Sequence, residues 1–367
     1  MTKTVIIDAR WLVGGIGTYT RNLLQEFPYH ESGFTIQAIV RKEDSASVQK
    51  VCSAVTVIDQ PIYTFREQIL IARASRHCDL LHVPHFNAPL LHRGPMIVSI
   101  MDVIHLSSSA YRRNLSTFLY ARPMLNAVAR KADHIVTVSC HSKNEIMQVL
   151  RIPESKITVI SCGVSEEFGP HSALESQEAA KTLGIQIPFF LYVGNLKPHK
   201  NVPTLLRAFA QLRKDSKLPH SLLIVGDDAR WKRSVVDECL RLGILDRTIF
   251  VPHVSQALLP RVYAAADLLV MPSTVEGFGL PVLEAMACGT PVVTSRTASL
   301  PEVAGDAALY FDPASPEELA VQIERILCST ELQASLRSKG MRRAKQFTWR
   351  RSARRHIDVY NQFLGLN

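Results

Sequence analysis

The sequence predicts an α/β protein built from two doubly wound parallel-sheet domains. Three observations carry this. The chain has 367 residues, enough for two domains at roughly 150 residues each. Short Val/Ile/Leu-rich runs alternate with longer stretches of helical pattern, which is the signature of βαβ units. The alternation is interrupted once, across Gly163 to Pro188, a stretch that holds Gly169, Pro170 and several Ser and Glu residues.

In chain order, Val5 to Asp8 reads as a strand and leads into GGIGTYTRNLLQEF, a glycine-rich turn followed by a helix. Leu80–Pro84, Met96–Ile100 and His134–Ser139 are further strand runs. A second series comprises Phe189–Gly194, Ser221–Gly226, Ile249–Pro252, Leu268–Pro272 and Pro291–Ser295. Continuous apolar runs suit strands covered on both faces, as in buried parallel sheets. The expected division is 1–168, 169–348 and a final helix over 349–367. The basic tail from Lys339 onward carries two aromatic punctuations, Phe347 and Trp349, and the final helix is expected to pack back on the first domain.

Composition excludes several classes. Apolar residues make up 47% and charged residues 20%, ordinary for a globular protein and wrong for disorder, collagen or a disulfide scaffold. The seven cysteines are irregularly spaced, with no C-x-x-C pair, so reduced thiols are expected. No apolar run approaches the roughly 18 residues of a membrane span. Asp8 and Arg10 interrupt any signal-peptide core, and a cytoplasmic protein, or one peripheral to the inner membrane face, is expected. The net charge of +9 is unevenly placed. Lys339, Arg342, Arg343, Lys345, Arg350, Arg351, Arg354 and Arg355 fall between Leu332 and Ile357 with no acidic residue among them. Arg112, Arg113, Arg122, Arg130 and Lys131 form a second basic stretch. Such surfaces attract phosphates or anionic lipid, and a solvated helix face explains them almost as well. Nucleic acid is not an expected partner, because stacking aromatics are not interleaved with the charges.

The most informative stretch is EGFGLPVLEAMACGTPVVTS, Glu276 to Ser295. A strand ends in a loop carrying Glu276, Gly277, Phe278 and Gly279. A helix then starts with Pro281 in its first turn, where a missing N–H costs little. It ends near Cys288, with Gly289 as a left-handed cap. Unpaired amides and the partial positive charge of the helix start make an anion site suited to phosphate. Glu276 and Glu284 flank it. A carboxylate beside phosphate is tolerable where neutral hydroxyls donate to it, and sugar and ribose hydroxyls are such donors.

The spacing of Glu276, seven residues and Glu284 resembles the E-x(7)-E signature of retaining glycosyltransferases of family four, which have the GT-B fold. The likeness extends to LYVGNLKPHKN (191–201), HIVTVSCHSKNEI, ITVISCGV and the opening DARWLVGGIGTYTRNLL. Its flavour is that of bacterial mannosyltransferases of polysaccharide and O-antigen assembly. The resemblance implies a hexose, mannose favoured, moved from a nucleotide diphosphate sugar such as GDP-mannose to a glycan or lipid-linked acceptor. No cofactor and no metal are implied. Glu284 would hold the ribose and Glu276 the transferred sugar. The amides of Phe278, Gly279 and Leu280 would hold sugar hydroxyls and phosphates, and Lys200 would neutralise the leaving diphosphate. Gly277, Gly194, Asn195 and His199 belong to the same donor loops. Val254 lies in the loop that meets the base, and Gly15 and Gly17 lie in the loop near the donor phosphates.

Gly14, Gly15 and Gly17 lack the full G-x-G-x-x-G spacing, which argues against a Rossmann dehydrogenase. In SIMDVIH (99–105), relatives place a histidine where this chain has Met101. Methionine cannot donate a hydrogen bond, so Asp102 or His105 would have to serve. A nucleotide-sugar binding protein without catalysis is the alternative. His82 and His85 have an H-x-x-H look but no obvious third ligand. A substrate-lining loop is the better functional reading, with His85 and His105 on the acceptor side. Asp227 and Asp228 are adjacent, with no D-x-D arrangement for a metal–diphosphate bridge.

Overall fold

The computed structural model describes residues 2–30, 33–107, 115–216 and 218–366. Arg112 and Arg113 of the second basic stretch lie outside the described residues. The chain divides into two compact units, Met1–Gly163 with Thr348–Asn367, and Val164–Phe347. The first division falls ahead of the 168/169 boundary expected from sequence.

In the first unit the described strands are β1 (Lys3–Asp8), β2 (Phe34–Val40), β3 (Ala54–Val57), β4 (Leu80–Val83), β5 (Met96–Ser99), β6 (His134–Thr137) and β7 (Ile157–Val159). They form one parallel sheet ordered β3-β2-β1-β4-β5-β6-β7. In the second unit β8 (Phe189–Val193), β9 (Ser221–Val225), β10 (Thr248–Val251), β11 (Leu268–Met271), β12 (Val292–Ser295) and β13 (Leu309–Phe311) are ordered β10-β9-β8-β11-β12-β13. Every pairing in it is parallel too. Residues such as Leu81, Val98, Leu222 and Val270 are fully buried, because helices pack on the apolar runs. Each such side chain contributes roughly 1.5–3 kcal/mol.

The sheet orders fix where ligands belong. Each sheet grows outward in two directions from a central pair, β1/β4 in the first unit and β8/β11 in the second. The crevice beyond the carboxyl ends of such a pair is the topological switch point, where open α/β sheets bind their ligands.

The glycine-rich segment after β1 corrects one expectation. Gly14, Gly15 and Gly17 are not a turn ahead of a helix but the first turns of the helix itself, Gly14–Glu26. Gly17 is required for packing. A Cβ there would stand 2.2 Å from the backbone carbon of Leu12, so only glycine lets the helix lie this close to the preceding loop.

The terminal helix, Trp349–Leu364, belongs to the first unit and is fastened there by a directed chain of buried hydrogen bonds. His356 Nδ1 lies 2.8 Å from the Ser352 carbonyl, which only accepts, so this nitrogen carries the proton. His356 Nε2 therefore accepts from the Tyr19 hydroxyl at 2.6 Å. Tyr19 Oη is left to accept from Ser99 Oγ at 3.0 Å. Ser99 Oγ in turn accepts from His82 Nε2 at 2.8 Å, and His82 Nδ1 accepts from Tyr360 at 2.6 Å. Each member has one consistent role, so no buried donor in the chain is stranded. His82 is thus a core residue holding the terminal helix, which corrects its reading as part of a substrate-lining loop.

Candidate active site

At the switch point of the second unit, the β8 and β11 loops are pinned together. Asn201 adopts a left-handed φ of +54°, tolerable for asparagine. Its Nδ2 donates to the carbonyls of Pro272 (3.0 Å) and Pro313 (2.8 Å). The Thr274 amide donates to the His199 carbonyl at 2.8 Å. This brings Lys200 Nζ to 2.7 and 3.0 Å from the two carboxylate oxygens of Glu276. Both side chains are largely buried, at 13% and 11% exposure, so the pair is shielded from solvent screening.

Beyond Glu276 the chain passes Gly277 and Phe278 to Gly279, whose φ of +105° suits glycine alone. The helix Leu280–Ala287 opens there with no side-chain cap. Pro281 carries no N–H and the Val282 amide donates to the Gly279 carbonyl at 3.0 Å, so within this first turn the Leu280 amide is the one with no intrahelical acceptor by geometry. Ser299 Oγ lies 2.9 Å from the carbonyls of both Glu276 and Phe278, where it clamps the loop. The buried Phe278 ring packs edge-on against Phe347. Glu284, one helical turn on, accepts from the buried Tyr263 hydroxyl at 2.7 Å. Burial pushes its carboxyl up to about 7, against the opposing pull of that hydrogen bond.

Gly194 and Asn195 line the other loop of this crevice. A Cβ on Gly226 would stand 2.1 Å from the Gly194 carbonyl oxygen, so the β8 and β9 loops touch backbone to backbone. Val254 is buried beyond β10. Asp228 caps the helix Ala229–Arg241 by accepting from the Arg230 amide, a structural role.

The remaining candidates lie in the first unit. Gly15 has open space around it at the helix start. Asp102 Oδ1 accepts from the Ile104 amide at 3.1 Å, shaping the turn before Ile104–Ser107. Met101 is half-buried. His85 and His105 flank Phe86, at ring distances of 4.4 and 6.0 Å. Sequence reasoning missed Tyr263, Ser299 and Asn201. Their partners lie between 21 and 112 residues away, beyond the reach of any local motif. It also missed the buried ion-pair cluster of Asp8, Arg10 and Glu67 at the end of β1.

The basic stretch near residue 340 is partly structural. Arg343 donates to the carbonyls of Val303 (2.9 Å) and Glu302 (2.6 Å) and lies over the Phe347 ring. It closes the end of the helix Leu300–Ala304, which corrects its reading as free basic surface. No described helix is long and apolar enough to cross a membrane.

Residues 175–343 match the family described as glycosyl transferases group 1, and residues 13–168 match glycosyltransferase family 4. The O-antigen chain mannosyltransferase B of Escherichia coli is 31% identical over 287 residues, covering 77% of this chain and 74% of that protein. The chain belongs to the family 4 glycosyltransferases. This glycosyltransferase also shares its fold with solved structures. Sucrose-phosphate synthase from Thermosynechococcus elongatus aligns over 100% of both chains with a TM-score of 0.80 at 22% identity. Anabaena HepE in complex with UDP-glucose aligns over 98% of this chain and 99% of its own, with a TM-score of 0.81 at 19% identity. The GT-B fold expected from sequence is therefore the fold of this glycosyltransferase.

Proposed function

We propose that this glycosyltransferase moves a hexose, mannose in our reading, from GDP-mannose to a hydroxyl of a glycan or lipid-linked acceptor with retention at the anomeric carbon. One observation carries the reading: Lys200, Glu276 and the uncapped helix start at Gly279 converge at the switch point of the second sheet. A cation beside a helix start is suited to a leaving diphosphate, which supports the reading. The likeness to a mannosyltransferase supports the sugar.

In this reading the diphosphate binds at the amides of Phe278, Gly279 and Leu280, and Lys200 meets its developing charge. Preorganised donors aimed at a leaving group supply much of an enzyme's rate enhancement. With charge met in this way, no metal and no other cofactor is required. Glu284 takes the ribose hydroxyls. Retention follows if the acceptor attacks from the face the diphosphate leaves, a phosphate oxygen taking its proton; Glu276 then needs no covalent role. The exposed Arg350, Arg351, Arg354 and Arg355 of the terminal helix suit peripheral contact with an anionic inner membrane face. Met101, where relatives place histidine, favours one other reading, a nucleotide-sugar binding protein without turnover.

A donor panel separates the two. Release of nucleoside diphosphate selectively from GDP-mannose, in the presence of lipid-linked acceptor, is the expected result. Donor binding with no release under any acceptor points to the binding protein. The site assignment has its own signature. Ribose hydroxyls donating to Glu284 favour its ionised form, so donor binding expels a proton when the carboxyl starts near 7. Donor affinity should rise with pH through about 7 and then level off. Glu284→Gln should flatten that profile and weaken binding by about tenfold or more. A profile unchanged by the substitution removes Glu284 from the donor site.

A further inference from the structure

A recess in the first unit lies away from the carboxyl-end crevice of its sheet. It opens between the outer face of the helix Phe65–Ala74 and the loop that leads into β5, with a volume of about 350 Å³. Small-ligand pockets start at roughly that size. Arg76 stands just ahead of β4 and Gly94 just ahead of β5, so the recess sits toward the amino ends of these strands. The helix turns Glu67, Gln68 and Ile71 inward. Ile69, Ala72 and Arg73 are left on the outer side, where they line the recess with Arg76, Leu91 and Arg93.

The far wall is fastened to the helix. The buried Gln68 side chain accepts from the Leu90 amide at 2.8 Å. Ser75 Oγ donates to the Ile71 carbonyl at 2.8 Å, so it accepts from His92 Nδ1 at 2.9 Å. Ser75 and His92 are both buried. Gly94 fits closely beneath, since a Cβ there would stand 3.0 Å from His92 Nε2. Buried polar contacts thus fix a loop whose own outer residue, Leu91, is 51% exposed. Phe65, one turn before Ile69 on the same helix face, is 77% exposed. Apolar side chains held out into water beside a recess mark a binding surface.

Charge selects the ligand. Arg73, Arg76 and Arg93 are exposed, and none of their guanidinium groups has a hydrogen bond or ion pair among the described residues. Arg213 on the second unit shows the contrast, meeting Asp246 at 2.8 and 3.1 Å. The negative end of the helix accounts for one cation in its last turn, not for three around one recess. Among the described residues no acidic side chain lines it. Three like charges repel one another, and a phosphate that accepts from several guanidiniums relieves that repulsion. The apolar wall asks for more than a bare phosphate. We propose that this recess binds a phosphate ester carrying an apolar substituent, with the phosphate on the three arginines and the substituent against Ile69, Ala72 and Leu91. A bilayer phospholipid and a free soluble ester both have that chemistry. The site uses none of the residues given to sugar transfer and does not depend on that reading.

The test is binding of monomeric short-chain phosphatidylglycerol to the full chain, read by ligand-observed NMR with no nucleotide sugar present. The lipid should bind saturably. The triple variant Arg73→Ala, Arg76→Ala and Arg93→Ala should weaken it about tenfold or more. Glycerol phosphate, which lacks the chains, should bind at least about fivefold more weakly than the lipid. The three arginines are exposed and unpaired, so the urea midpoint should not move. A control variant, Arg350→Ala, Arg351→Ala and Arg354→Ala, removes the same charge from the terminal helix and should bind the lipid as the unchanged chain does. Sedimentation with phosphatidylglycerol vesicles then separates the sources. Its loss in the triple variant assigns the bilayer, and unchanged sedimentation with loss of monomer binding assigns a soluble ester. Equal monomer binding by the triple variant, an equal loss in the control variant, glycerol phosphate binding as tightly as the lipid, or no lipid binding overturns the proposal. Each of these results leaves the transferase reading where it stands.

Discussion

Replacing Lys200 by alanine is expected to lower kcat/KM by on the order of 10²–10³-fold, the effect of removing a preorganised charge-stabilising donor. The fold should survive, since Lys200 sits on a loop whose position is fixed by Asn201 and Thr274 rather than by the lysine. Two effects combine in the loss. In the proposed reading, the cation that would meet the leaving diphosphate is gone. The Glu276 carboxylate, held by Lys200 at 2.7 and 3.0 Å, is left buried and unpaired beside an incoming anion. The double variant Lys200→Ala with Glu276→Gln separates them. If Lys200 acts on the transition state, neutralising Glu276 restores donor affinity but not turnover. If it merely quiets Glu276, the double variant recovers most of the activity. Contacting residues are expected to be non-additive here, and the size of the coupling is the measurement.

The second large effect is acid destabilisation of the first unit. His356 is fully buried between Tyr19 and the Ser352 carbonyl, and burial holds its pKa at about 4 against an ordinary 6.5. His82 is held well below its ordinary value for the same reason, with His356 adding to the effect. Both are neutral in the fold, as the directed hydrogen-bond chain requires. Between pH 6.5 and about 4 the unfolded chain takes up protons at these positions and the folded chain does not. Stability is therefore fully present above 6.5 and declines as pH falls toward 4. At about 1.4 kcal/mol per pKa unit, His356 alone accounts for on the order of 3 kcal/mol, a large share of the roughly 5–15 kcal/mol of a whole domain. Urea unfolding at pH 7.5, 6 and 5 should show this fall. His356→Phe should be less stable at pH 7.5, because Tyr19 loses its acceptor, yet show a shallower fall. A stability independent of pH over this range would refute the assignment.

Much of the fold was legible because central parallel strands must be apolar on both faces. The strands read from sequence, β1, β4, β5 and β6 in one sheet and β8 to β12 in the other, include both switch-point pairs. Those missed, β2, β3, β7 and β13, lie toward the outside of their sheets. There polar residues such as Gln37, Thr56 and Thr158 break the apolar run. The loop and helix from Glu276 to Gly289 were legible for a related reason. A glycine at positive φ, a proline in the first helical turn and a glycine cap are local requirements, so they leave a local code. Gly279, Pro281 and Gly289 sit where that code places them. What joins Lys200 to Glu276, Tyr263 to Glu284, or Arg10 to Glu67 is tertiary. Those contacts depend on strand order, which no short window encodes. The glycines after β1 misled for a different reason. They look like turn residues, but Gly17 is there for close packing inside a helix.

The central claim is that the start of the helix at Leu280, with Lys200, grips the diphosphate of the donor. A crystal structure of the full chain with GDP-mannose, or with GDP alone, tests it most directly. Phosphate oxygens should lie within about 3.2 Å of the amides of Phe278, Gly279 or Leu280 and of Lys200 Nζ, with the ribose on Glu284. A nucleotide bound elsewhere, with Lys200 still paired only to Glu276, would contradict it.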